Sequence, residues 1–67
     1  MEDAYLVACE DRVREIERLA GDIGMTRPQL AQASIEWYGQ EPYKLPLEIL
    51  DALLKALTEI RDDWSLT

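Results

Sequence analysis

Two apolar stripes with alternating three- and four-residue spacing dominate this chain. The first runs Leu6, Cys9, Val13, Ile16, Ala20 and Ile23. The second runs Leu50, Leu53, Leu57, Ile60 and Trp64, widened by Leu47, Ile49 and Leu54. That spacing places each set along one side of an α-helix. In a chain of 67 residues, two such helices leave little room for anything else. The expected fold is therefore all-α: one three-helix domain over residues 1–67, assembled as a homodimeric helical bundle.

Local signals divide the chain. The first helix is expected from Asp3 to about Ile23, with Glu2 and Asp3 suiting its positive amino end. Glu10 with Arg14, Asp11 with Arg14, and Glu15 with Arg18 lie at helical pairing distances. Gly21 and Gly24 mark the exit, and Gly24 is the expected left-handed cap. Ala4 to Cys9 also has the Tyr, Leu and Val content of a short strand. The unbroken stripe through Leu6 and Cys9 favours helix there.

Thr26 and Gln29 form a capping box for the second helix, with Met25 and Leu30 at the staple positions. Pro28 fits a first turn, where its missing N–H has no partner to lose. The helix should stop at Gly39, and Leu30, Ala31, Ser34, Ile35, Trp37 and Tyr38 supply its packing face. Gly39 to Pro46 reads as a loop stiffened by Pro42 and Pro46. Pro46 then opens the third helix, which runs to about Trp64 and carries an Asp51–Lys55 pair. Trp37, Tyr38 and Tyr43 are expected to close that end of the core. Asp62 and Asp63 sit against the helix dipole, and Ser65, Leu66 and Thr67 are expected to fray.

Composition narrows the function. There is one cysteine, so no internal disulfide forms, and Cys9 lies inside the first stripe as a small buried hydrophobe. Glu10 and Asp11 follow it, the reverse of the electropositive setting a reactive thiol needs. The chain has no histidine, which removes the commonest general base and transition-metal ligand. No catalytic residue, metal ligand or cofactor is therefore expected. With 14 acidic and 7 basic residues, net charge is −7. That balance disfavours nucleic acid and anionic membranes, and suits a basic protein partner. Met1-Glu2-Asp3 is the opposite of a secretory n-region, and the apolar run Ala4 to Cys9 is far short of the ~20 residues that cross a bilayer. A cytoplasmic location is expected.

The apolar face of the third helix is wider than one neighbour covers, and a domain this small buries only about 60% of its unfolded surface. A protein–protein interaction module is expected, an adaptor, inhibitor or regulator. Leu47 and Leu54 would form its interface, and Asp62, Asp63 and Trp64 would contact the partner.

Residues 11–38 also resemble the helix pair of ribbon-helix-helix regulators. The resemblance rests on Arg18-Leu19-Ala20, Gly24-Met25-Thr26-Arg27, Leu30, Ala33, Ile35 and Trp37-Tyr38. It implies two interlocked chains and a DNA-binding regulator or antitoxin, with an amino-terminal strand reading the major groove. That strand would fall on Asp3 to Ala8 and present Asp3, Tyr5 and Val7, none of them basic. Gly24-Met25-Thr26 with Leu30-Ala31 is similar, too, to the opening of a phage-repressor helix-turn-helix.

Overall fold

The computed structural model describes residues 3–65. Glu2, Leu66 and Thr67, for which positions were expected above, lie outside the described residues. Three α-helices follow one another: α1 (Ala4–Asp22), α2 (Arg27–Tyr38) and α3 (Leu47–Ser65). No strand occurs among the described residues, and Ala4 to Cys9 is helical.

Each boundary has a local cause. Asp3 stands just outside α1 with an extended backbone, and its carboxylate accepts from the Leu6 amide at 3.3 Å. At the other end Gly24 takes φ 82°. Its amide donates to the Gly21 carbonyl at 3.1 Å, and that of Met25 donates to Ala20 at 2.8 Å. This is a Schellman closure, which needs a left-handed residue at Gly24. Thr26 and Gln29 form the expected capping box: the Gln29 amide donates to Thr26 Oγ1 at 3.3 Å, and the Thr26 amide donates to Gln29 Oε1 at 2.9 Å. Gly39, at φ 85°, ends α2.

Two boundaries differ from expectation. The Gly39–Pro46 connection holds a 3₁₀ turn over Pro42–Lys44, closed by the Leu45 amide on the Pro42 carbonyl at 3.2 Å. That turn buries Pro42 and Leu45. Pro46 precedes α3 rather than opening it, and its carbonyl accepts from Ile49 and Leu50.

α1 and α3 pack side by side and run parallel. Tyr5 meets Leu47, Arg12 Nε meets Asp51 Oδ1 at 2.6 Å, and Asp22 lies 4.0 Å from Arg61, so residue numbers rise together along both helices. Asp51 thus pairs across the seam with Arg12 instead of with Lys55. Within α1, Glu15 and Arg18 pair at 2.6 Å, while Arg14 takes Asp11 at 3.4 Å rather than Glu10. Such exposed pairs contribute at most about 1 kcal/mol each.

The core joins Ile16, Leu19, Ala20 and Ile23 of α1 to Leu30, Leu45, Leu50, Leu53 and Leu57. Leu19 and Leu45 fall outside both stripes. The stripe on α1 outruns the core: Leu6 is 57% exposed, and Cys9 and Val13 are half-buried. Cys9 is therefore not the buried hydrophobe expected. The reason is coverage, because α2 packs on the carboxyl half of α1 and leaves the amino half to α3. Ser34 is the buried polar residue of the core; its hydroxyl donates to the Gln40 carbonyl at 2.6 Å and pins the exit of α2. No described helix is long and apolar enough to cross a membrane.

Candidate functional site

The apolar surface that remains exposed is not a single face of α3. Seven large apolar side chains stand out: Tyr5, Leu6 and Val7 on α1, Ile35 and Trp37 on α2, Tyr43 on the 3₁₀ turn, and Trp64 on α3. Of the three aromatics expected to close the core, only Tyr38 packs against it. Trp37 is 49% exposed and Tyr43 68% exposed. Leu30, Ser34 and Tyr38 share one helical row that faces inward and Ile35 falls well to its side. Trp37 flanks that row near the end of α2 and stays half exposed, and Tyr43 lies on the 3₁₀ turn beyond it.

Two open grooves result. One, of about 430 Å³, lies along the amino half of α1 and is lined by Leu6, Cys9, Glu10, Val13, Arg14 and Tyr43. Beside it the Glu41 carboxylate, through its charge and then a hydrogen bond, raises the Tyr43 hydroxyl pKa above its ordinary value.

The second groove is wider, about 670 Å³, and lies between the carboxyl ends of α2 and α3. Trp37 and Tyr38 form one wall, with their rings edge-on at 90° and 6.5 Å between centroids. Ala56, Glu59, Ile60 and Asp63 form the other. These four positions repeat at three- and four-residue intervals, so they share one side of α3. The small side chain of Ala56 leaves the depression that larger residues would fill. Both grooves are open rather than enclosed, unlike sites that bury most of a small ligand.

The residues expected to bind a partner are divided by the fold. Asp63 lines the second groove. Asp62 lies beside it and approaches Arg61 at 3.7 Å. Trp64 is 62% exposed, one turn beyond Ile60. Leu47 and Leu54 are elsewhere, half-buried on the row that also carries Asp51 and Arg61. That row flanks α1, and Leu54 packs partly against the core. Sequence reasoning missed Trp37, Ala56, Glu59 and Ile60 as one surface. The row on α3 was readable from spacing, but its alignment with the end of α2 was not.

Among the described residues no group of three or more His, Cys, Asp or Glu is placed to hold a metal. No buried side-chain polar atom among them lacks a hydrogen-bond partner. No protein-family model, curated protein or solved structure matches this chain.

Proposed function

We propose that this chain is a small acidic helical interaction module, an adaptor, inhibitor or regulator that acts by binding a protein partner and without catalysis. The observation that carries this reading is the exposed apolar surface, with two tryptophans and two tyrosines that are about half exposed or more. Large aromatic residues concentrate binding energy at protein interfaces. On a chain this small, exposed apolar side chains of this size support a contact site. Self-association belongs to the same proposal, through the half-buried Leu47 and Leu54 of α3, in a cytoplasmic protein.

The test is photo-crosslinking in the native host from a benzophenone side chain placed at Trp37 or Trp64. Capture of a defined protein, identified by mass spectrometry, supports the proposal. The ribbon-helix-helix reading makes the opposite forecast. It requires a DNA mobility shift whose affinity falls steeply with salt, and such a shift without a protein crosslink would overturn the interaction-module reading.

A further inference from the structure

We infer that the groove between the carboxyl ends of α2 and α3 receives a basic amphipathic helix of a partner protein. This rests on the protein-binding reading above and adds which surface is used and what chemistry fills it.

The argument starts from charge placement. All five arginines, Arg12, Arg14, Arg18, Arg27 and Arg61, stand in ion pairs with carboxylates of this chain. Neither Glu59 nor Asp63 has an ion pair among the described residues, and both are exposed at the groove. Lys55, one turn before Glu59, does not pair with it. The carboxyl ends of α2 and α3 bring partial negative charge to the same place. The groove therefore has an apolar floor of Tyr38, Ala56 and Ile60 and an uncompensated acidic rim.

Length sets the shape of the occupant. Ala56 to Asp63 spans two helical turns, about 10 Å. An incoming helix with apolar anchors at i, i+3 or i+4, and i+7 spans the same distance. Its Lys or Arg residues, one position to the side, reach Glu59 and Asp63. A second copy of this chain fits poorly, because each copy carries −7 and its arginines are already paired.

The experiment uses two synthetic amphipathic peptides with the same Leu/Ala face, one flanked by Lys and one by Glu. Each is titrated into the isotope-labelled protein and followed by amide and indole NMR shifts. The Lys peptide should move the Trp37 indole and the Ala56 and Ile60 amides, and the Glu peptide should not. The double variant Glu59→Lys, Asp63→Lys alters two exposed positions, so remote amides should keep their shifts. It should bind the Lys peptide roughly tenfold or more weakly and admit the Glu peptide. Equal binding of both peptides to the natural chain would overturn the assignment, as would perturbation of another surface or an unchanged affinity in the variant. Groove shifts on concentrating the protein alone would put a second copy there and overturn it as well. Crosslinking of a host protein through another face would leave the interaction-module reading standing and remove only this site.

Discussion

The Tyr5 hydroxyl accepts a hydrogen bond from the Leu47 backbone amide at 2.9 Å, so a side chain near the start of α1 caps the start of α3. The need for it is local. Pro46 precedes α3 and has no side-chain oxygen with which to satisfy an orphan amide of the first turn. Tyr5 supplies that oxygen from 42 residues away. The same contact fixes the parallel register of α1 and α3.

Tyr5→Phe removes only this oxygen. It should destabilise the fold by about 0.5–1 kcal/mol, the lower part of the capping range, because water reaches the exposed amide. The urea midpoint should fall and the Leu47 amide should exchange faster. An unchanged midpoint with unchanged exchange would mean that α3 starts without help from α1.

Thr26→Ala should lower stability by about 1 kcal/mol, the usual effect of losing a helix N-cap. The loss comes from the Gln29 amide, which donates to Thr26 Oγ1. Thr26→Ser keeps that acceptor and should recover most of the difference in the same denaturation series.

The apolar stripe of α1 is not uniform in energy. Ile16 is fully buried, and Ile16→Ala should cost about 2–5 kcal/mol, enough to unfold much of so small a domain. Leu6 lies in the same stripe but is mostly exposed, and Leu6→Ala should change stability by less than about 0.5 kcal/mol. Denaturant midpoints of the two variants decide whether the core extends to Leu6.

These differences locate what the sequence could and could not say. Caps and exits are local, so Thr26, Gln29, Gly24 and Gly39 were readable from neighbours a few residues away. The stripes correctly marked Ile16, Ala20, Leu50, Leu53 and Leu57 as inward. Periodicity says which side of a helix is apolar but not how far its neighbour extends, and Leu6 was misplaced for that reason. Leu45 lies between prolines in a segment with no period, so only the observed 3₁₀ turn explains its burial. The second groove depends on where α2 ends against α3. That tertiary relationship leaves no trace in the spacing of Trp37 or Ala56.

Near neutral pH, stability should be flat, since there is no histidine to titrate between about pH 6 and 8. The acid limb has a specific contributor. A hydrogen bond from Arg18, more than its charge, holds the Glu15 carboxyl below its ordinary value of 4.5. A lowered folded-state value stabilises the protein fully above the unfolded value, and that contribution disappears as pH falls through the folded one. The effect is small because Glu15 is exposed, so it should be read as a difference from Glu15→Gln. The natural chain should hold a small advantage at about pH 6 that vanishes as the pH falls through the lowered Glu15 value. An advantage that grows on acidification would reverse the sign and contradict the pairing.

The final expectation concerns assembly. Leu54 packs partly against the core and keeps part of its surface outside. If that outer part is covered by a second copy, light scattering should report a dimer that dissociates on dilution. Leu54→Glu would place a charge without a partner in the contact and shift the protein to monomer. Because Leu54 also touches the core, circular dichroism must be measured on the same samples. A helical monomer identifies Leu54 as an interface residue, whereas loss of helix identifies it as a core residue. Leu47→Glu, two turns earlier on the same row and farther from the core, should dissociate the dimer with less loss of helix. A natural chain that stays monomeric at high concentration, and is no less stable with Leu54→Glu, would remove self-association from the proposal. The outer side of α3 would then be left for a different protein.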